Sequence, residues 1–324
     1  MQAWLCENPT GVEALSWREV STPKPGPGEV LIEIQAASLN FPDLLIVQNK
    51  YQMKPPLPFV PGSEYAGTVQ CVGDGVTHLK IGQKVACLSG TGGFGTHTLA
   101  PAKLCLPLPE HFPATDAAAF IMTYATSYHA LLDRAALKAG ETVLVLGAAG
   151  GVGTAAIQIA KATGAKVIAA TSTDEKCALC KSLGADEVIN YSKLNLRETL
   201  KTQTAGQGPD VIYDPVGGDI AEPAFRSIAW RGRYLVVGFA GGPIPCLPLN
   251  LPLLKGASLV GVFWGEFAKR EPQANTSMME TLAKWYALGK IKPVIDRTLP
   301  MSELKTAYAL MGTRSVKGKL VMVN

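Results

Sequence analysis

The sequence predicts an α/β chain in two parts, an all-β, barrel-like first third followed by a doubly wound parallel sheet. Three observations predict it. Short β-type runs separated by Pro and Gly fill the chain up to about Phe120. Beyond that point, strand-like runs alternate with helical ones. Between the first such strand and its helix stands a glycine cluster, in Thr142-Val-Leu-Val-Leu-Gly-Ala-Ala-Gly-Gly-Val-Gly153. A length of 324 residues suits two domains, each with its own core.

In order, the first-third strands are Val30-Leu-Ile-Glu-Ile-Gln, Tyr65-Ala-Gly-Thr-Val-Gln-Cys-Val, Lys84-Val-Ala-Cys-Leu and His97-Thr-Leu-Ala. Pro23-Lys-Pro-Gly-Pro-Gly28 is a turn cluster between two strand candidates. Residues 117–132 are apolar with a helical period and read as a bridge between domains. Gly147, Gly150 and Gly153 then fall at intervals of three, a variant of the dinucleotide fingerprint. Gly147 lets the strand turn sharply, and Gly150 and Gly151 clear a backbone approach for a pyrophosphate. Gly153 lets the helix lie close on the sheet with its N-terminus toward the phosphates. Taken alone, the stretch also fits a glycine-rich turn that binds nothing. The residues beyond it favour the dinucleotide site, with strands over 166–171, 184–191, 210–214, 233–238 and 258–263 and a helix over 174–183. Residues 266–275 are polar and read as a loop, 278–287 as a helix ended by Gly289, and 320–323 as a final strand. The expected division is 1–121 completed by 265–324, around a second domain at 122–264.

Composition narrows the function. With 47% hydrophobic and 17% charged residues, the chain is an ordinary globular one. A net charge of +4 without a basic run gives no nucleic-acid footprint. The first residues, Met1-Gln-Ala-Trp-Leu-Cys, lack the pattern of a signal peptide, and no apolar run reaches the roughly 18 residues of a membrane span. Seven scattered cysteines point to a reduced, cytoplasmic setting.

These residues carry a family resemblance. Pro23, Pro25 and Gly28-Glu-Val, Leu39-Asn-Phe-Pro-Asp-Leu44 and Pro58-Phe-Val-Pro-Gly-Ser-Glu-Tyr-Ala-Gly67 resemble the medium-chain dehydrogenase/reductases. So do Gly82-Gln-Lys-Val85, Ala148-Ala-Gly-Gly-Val-Gly153, Leu183-Gly-Ala-Asp186 and Tyr213-Asp-Pro-Val-Gly217. The match is to the zinc-independent quinone oxidoreductase branch, which includes zeta-crystallin, and it covers nearly the whole chain. It implies a GroES-like first domain, a Rossmann second domain and NADP(H) in the cleft between them.

The zinc-dependent relatives hold a catalytic metal through two Cys and a His. Aligned by motif on the resemblance, those positions are Asn40, Ser63 and Met122, none a zinc ligand here. No Cys lies between Cys87 and Cys105, so the relatives' structural-zinc lobe is missing too. Cys177 and Cys180 form a CxxC on a predicted helix with no second pair nearby, and the plain reading is one buried thiol and one exposed. The chain is therefore expected to be metal-free. Without a Lewis acid to polarise an alcohol or simple ketone, acceptors that take hydride unaided remain, such as quinones and enones.

For the nucleotide, the second strand ends at Thr171-Ser172 with no carboxylate at its tip. Ser172 and Lys176 are in reach of a 2′-phosphate, as the equivalent residues of related enzymes are, and Tyr191 neighbours the adenosine. Asp174 dissents, since a carboxylate there accepts ribose hydroxyls and repels phosphate, unless it is only a helix cap. NADPH is favoured over NADH. The cofactor set takes in Thr126 and, at the glycine turn, Gly150, Gly151 and Val152. Gly238-Phe239 after the fifth strand and Phe263-Trp264 after the sixth lie where a parallel sheet meets the nicotinamide, and the resemblance adds Lys319 approaching from the tail. It places Asn40 and Asp43 near the cleft floor and Tyr51 on its rim as catalytic candidates. For Asn40 a satisfied buried amide is the alternative, and for Tyr51 and Trp264 a core or interface aromatic.

The sequence thus points to an NADPH-dependent reductase of quinones or other conjugated carbonyls, working by direct hydride transfer. The alternatives are an enoyl- or acryloyl-CoA-type thioester reductase, and an NADPH-binding protein without turnover in a structural or RNA-associated role. The expected partner is a small quinone or enone, with neither nucleic acid nor membrane involved. The apolar strand at 258–263, last in the sheet, leaves an edge suited to a homodimer, unless the tail covers it.

Overall fold

Alternating inward and outward positions build the first strands. In the computed structural model, which describes residues 1–324, β1 (Gln2–Leu5) and β2 (Ser16–Glu19) pair antiparallel. β3 (Glu29–Ser38) turns Val30, Ile32 and Ile34 to the core. There follow α1 (Phe41–Val47), β4 (Glu64–Val72), β5 (Lys84–Leu88), β6 (His97–Pro101) and β7 (Cys105–Pro107). Then come α2 (Ala114–Ala118) and α3 (Ile121–Tyr128), the latter continued by a π-helical turn over His129–Arg134. The α/β run is β8 (Thr142–Leu146), α4 (Gly151–Ala162), β9 (Lys166–Thr171), α5 (Asp174–Ser182), β10 (Glu187–Asn190), α6 (Leu196–Gln203) and β11 (Val211–Asp214). It continues through α7 (Ala221–Arg226), β12 (Arg233–Val236), α8 (Asn250–Lys255) and β13 (Ser258–Gly261). The chain closes with α9 (Trp264–Arg270), α10 (Pro272–Ala287), β14 (Ile295–Pro300), α11 (Leu304–Gly312) and β15 (Lys319–Val323).

Two compact units result, one of Met1–Met122 with Ile295–Asn324, the other of Thr123–Val294. In the first, a seven-stranded sheet runs β14-β15-β3-β4-β5-β7, with β6 also on β3. Register shifts at Leu31/Ile32 and Ile34/Ala36 bend β3 against β4, the kind of bulge that curls a sheet toward a barrel. Ile32, Ile34, Tyr65, Val69 and Phe94 fill its core. Leu39 N–H donates to Leu320 O at 3.0 Å, so the last strand is pinned beside the third.

In the second unit, six parallel strands run β10-β9-β8-β11-β12-β13. β8 and β11 are buried along nearly their whole length, as strands covered by helices on both faces must be. The order reverses between β8 and β11, and a doubly wound sheet takes its ligands at the carboxyl ends beside such a reversal.

Several expectations are corrected. Apart from Glu271 between them, residues 266–275 are helical, forming most of α9 and the start of α10, where Pro272 occupies the first turn. The segment 265–294 belongs with the second unit, and only Ile295–Asn324 joins the first. The cause is local packing: His129 stacks on Phe267 at 4.3 Å, and Tyr128 meets Trp285 at 5.8 Å. The first unit extends to Met122, and the expected helical bridge is broken into α2, α3 and the π turn. β13 stops at Gly261, two residues short of Phe263. No helix is long and apolar enough to cross a membrane.

Candidate functional site

The glycine turn after β8 is built by close backbone approach. Gly147 has φ 57°, and a Cβ there would stand 2.7 Å from Val216 Cγ2. A Cβ on Gly153 would stand 2.5 Å from Gly147 O and 2.7 Å from the Ala148 backbone, so only glycine lets α4 begin this near the turn. Gly150 caps α4 without a side chain, and the first backbone bond into it is Thr154 N–H to Gly150 O at 2.8 Å. The N–H groups of Gly151, Val152 and Gly153 are thus those a helix start leaves for an anion. Ser127 Oγ holds this turn by donating to Val152 O at 3.0 Å and sharing a 2.9 Å bond with Tyr213 Oη. Next along the sheet, Asp214 Oδ1 accepts Val216 N–H at 2.7 Å and Gly217 N–H at 2.9 Å, while Tyr234 Oη donates to its other oxygen. The cradle fits a pyrophosphate.

At the tip of β9, Thr173 and not Asp174 caps α5, its Oγ1 accepting Lys176 N–H at 3.2 Å. Asp174 is the first helical residue. Its Oδ1 accepts Asn190 Nδ2 at 2.6 Å and its Oδ2 accepts Lys193 Nζ at 2.5 Å. Those bonds, Lys193 first and Asn190 second, hold its carboxyl below the ordinary range. Ser172, Lys176 and Tyr191 are half-buried nearby, and Tyr191 N–H donates to Thr171 O at 3.0 Å. The structure therefore brings Ser172 and Tyr191 to the ends of two adjacent strands, with Lys176 in the first turn of α5.

At the other side of the parallel sheet, Gly238 and Phe239 follow β12 and are half-buried, and Phe263 is exposed just before α9. Trp264 is buried, with its indole N–H donated to Asn275 Oδ1 at 2.9 Å. It is a core aromatic of the second unit, the alternative left open for it. Thr126 lies half-buried on α3, one residue before Ser127.

The first unit holds a buried polar cluster. Asn40 precedes α1, and its backbone N–H donates to Asp43 Oδ2 at 2.8 Å. Asp43 Oδ1 accepts Ser63 N–H at 3.0 Å. Glu64, fully buried on β4, accepts Asn40 Nδ2 at 2.9 Å, Ser38 Oγ at 3.1 Å and Met122 N–H at 3.0 Å. Lys319 reaches in from β15, donating to Leu39 O at 2.9 Å and to Asn40 Oδ1, with Glu64 Oε2 at 3.8 Å. Burial pushes the Lys319 ammonium down, against the pull of Glu64. Burial also raises the Asp43 carboxyl to about 6, opposed by its bonds from Asn40 and Ser63 and by the charge of Lys319. Tyr51 is half-buried, its hydroxyl raised by burial and then by the Asp43 charge. Ser63 is buried against the same Asp43 carboxyl, which it meets through its backbone N–H and its side chain.

Both ends of the Asn40 amide are occupied by protein, which makes it a satisfied buried amide. Lys319, grouped with the cofactor residues on resemblance, is buried and committed to Leu39, Asn40 and Glu64.

Two family models match the chain: "Alcohol dehydrogenase GroES-like domain" over residues 26–110 and "Zinc-binding dehydrogenase" over 151–284. Quinone oxidoreductase-like protein 2 of Mus musculus is 36% identical, over 96% of this chain and 89% of its own. The chain belongs to the zinc-independent quinone oxidoreductase branch of the medium-chain dehydrogenase/reductase superfamily. Escherichia coli quinone oxidoreductase, solved in complex with NADPH, superposes with a TM-score of 0.92 at 30% identity over 100% of both chains. The CurK enoyl reductase superposes with a TM-score of 0.88 at 25% identity over 99% of both.

For a medium-chain dehydrogenase/reductase, the first unit has a particular meaning. Asn40, Ser63 and Met122, aligned with the metal-ligand positions of zinc-dependent relatives, all bond into the Asp43–Glu64 cluster. Asn40 bonds through its amide while Ser63 and Met122 bond through their backbone N–H groups, and an amide, a hydroxyl and a thioether are a poor donor set for zinc. Cys177 and Cys180 are both buried, which corrects the expectation of one exposed thiol: spaced by three on α5, they share its inner face. Cys177 Sγ bonds Thr171 Oγ1 at 3.0 Å, and burial pushes the Cys180 thiol up to about 12. Sequence reasoning left Glu64 and Lys193 out of the site. Glu64 had a signal, an acid inside an otherwise apolar and glycine-rich motif; Lys193 had none.

Proposed function

We propose that this quinone oxidoreductase relative is an NADPH-dependent reductase of quinones or other conjugated carbonyls, acting by direct hydride transfer without a metal. The observation that carries the nucleotide choice is the tip of β9, where Ser172 and Lys176 are present and the nearest carboxylate, Asp174, is already paired with Asn190 and Lys193. The relative solved with NADPH supports the same choice.

The N–H groups of Gly151 and Val152 hold the pyrophosphate at the α4 start. Ser172 and Lys176 hold the 2′-phosphate, and Tyr191 packs on the adenosine. Gly238, Phe239 and Phe263 line the nicotinamide end, with Thr126 beside the turn. The bound nicotinamide supplies the hydride. Asn40 and Lys319 act by holding the floor of the substrate region rigid, since their own hydrogen bonds are spent. Tyr51, with its hydroxyl raised by burial, stays protonated at neutral pH and is the rim donor toward a carbonyl oxygen. Asp43 lies behind it. The proton that completes the product, on the second oxygen of a reduced quinone or on the α-carbon of a reduced enone, is drawn from solvent.

A thioester enoyl reductase is the second reading, favoured by the likeness to the CurK enoyl reductase. Following NADPH consumption across panels of quinones, enones and enoyl thioesters tests the proposal. Turnover is expected with quinones and simple enones. Turnover confined to thioesters installs the second reading, and NADPH binding without turnover on any panel overturns both.

A further inference from the structure

We infer that Lys193 sets nucleotide preference by acting through Asp174: it tethers and neutralises the Asp174 carboxylate, so that this group neither accepts ribose hydroxyls nor repels a 2′-phosphate. The inference rests on the NADPH reading and adds to it a positioning residue outside the phosphate contacts themselves.

The arrangement is preset by backbone. β10 pairs with β9 so that Asn190 lies opposite Thr171, which brings the turn after β10 alongside Ser172–Asp174. Asn190 is buried, and its Oδ1 accepts Ser192 N–H at 3.1 Å. That bond fixes the amide orientation, leaving Nδ2 to face Asp174 Oδ1 at 2.6 Å. Lys193 N–H and Leu194 N–H both close on Asn190 O, at 3.1 and 3.0 Å. The turn so formed delivers Lys193 Nζ to Asp174 Oδ2 at 2.5 Å. Each carboxylate oxygen thus has its own donor, one neutral and one charged.

Asp174 is two residues beyond Ser172 and two before Lys176, the pair proposed to grip the 2′-phosphate. A bare carboxylate at that spot serves NADH, because an acid at the end of the second strand accepts ribose hydroxyls. The α5 start and both hydrogen bonds favour its ionised form, so protonation does not remove the charge. Lys193 does. The chain keeps an acid next to a phosphate grip and cancels it with a cation from the turn after the neighbouring strand.

The test is calorimetric titration of NADPH and NADH into the wild type, Lys193→Met, Lys193→Arg, Asp174→Asn and the Lys193→Met/Asp174→Asn double variant, at low salt. Lys193→Met is expected to lower the NADPH:NADH affinity ratio by about two- to fivefold, the range of an exposed ion pair. Lys193→Arg keeps the ratio, and Asp174→Asn keeps or raises it. In the Asp174→Asn background, Lys193→Met should change nothing, because the charge it cancels is gone. A loss of NADPH affinity from Lys193→Met that persists in the Asp174→Asn background would mean direct phosphate contact and overturn the inference. So would an unchanged ratio in both backgrounds. A wild type that binds NADH as tightly as NADPH removes the nucleotide reading, and the inference with it.

Discussion

Glu64 accepts the Asn40 amide at 2.9 Å, and that bond decides which way the Asn40 side chain faces. With Lys319 on the other end of the amide, the two ions fix a neutral group between them. Neither ion is exposed, so each depends on the other for its charge to be tolerated.

Removing one ion should therefore be costly. Glu64→Gln and Lys319→Met are each expected to lower unfolding free energy by about 3–5 kcal/mol. Together they should cost less than their sum by roughly 1–3 kcal/mol, since the double variant leaves neither member of the Glu64–Lys319 pair without its partner. Urea denaturation of the four proteins measures this, and strict additivity would contradict the pairing.

Asp43 should make stability fall as pH rises. Its carboxyl ionises at 3.8 in a solvated chain and at about 6 in the fold, so between those values the folded protein holds the extra proton. Its contribution is full below the lower value and is lost as pH climbs through the upper one, by roughly 3 kcal/mol at most. Asp43→Asn removes that titration. The stability difference between wild type and Asp43→Asn should shift against the wild type from about pH 4 to pH 7, and a flat difference would show an ordinary carboxyl.

Gly153→Ala should damage the phosphate cradle. The new Cβ meets backbone atoms that have nowhere to go, the nearest at 2.5 Å. NADPH affinity should fall by about tenfold or more, roughly 1.4 kcal/mol, measured by fluorescence titration. Gly242→Ala, where a Cβ has nothing within 4 Å, is the control for adding a methyl elsewhere, its positive φ costing stability alone.

Much of this was legible in the residues, for reasons that differ by element. The strand–glycine–helix stretch at 142–162 was readable because its determinants are contiguous: β-branched residues, glycines at fixed spacing, then a helical period. The α9–α10 region was not. Its surface is so polar that no apolar stripe stands out before Met278, and only Pro272 marks a helix start. The Glu64–Lys319 pair was hidden by distance along the chain, since nothing near either residue names the other. Asp174 shows a third kind of limit. The sequence poses its ambiguity, but the answer depends on where the turn after β10 places Lys193.

The β13 edge predicts self-association. Leu259 on the strand is an exposed apolar side chain, as are Leu253 and Leu254 on the preceding α8, and the strand has no neighbour beyond it. A homodimer mass is expected in sedimentation at micromolar concentration. Leu259→Lys places a charge on the edge and should shift the mass toward monomer, and a wild-type monomer would refute the idea.

Metal removal should leave the protein unchanged. Elemental analysis is expected to find less than stoichiometric zinc, and chelation to leave thermal midpoint and turnover intact. About one tightly held zinc per chain would contradict the donor set at Asn40, Ser63 and Met122.

The place of β15 in the first sheet has a consequence for biosynthesis. The strand lies between β14 and β3, yet it is made after every residue of the second unit. On the ribosome, residues 123–294 emerge as one uninterrupted stretch and can fold while the earlier unit still waits for its closing strand. Until then the β3 side that receives β15 is open and Glu64 has no cation beside it. A nascent chain in that state offers an unpaired edge to its neighbours, so ribosome-bound chaperones should matter most for this protein between completion of the second unit and the emergence of β15.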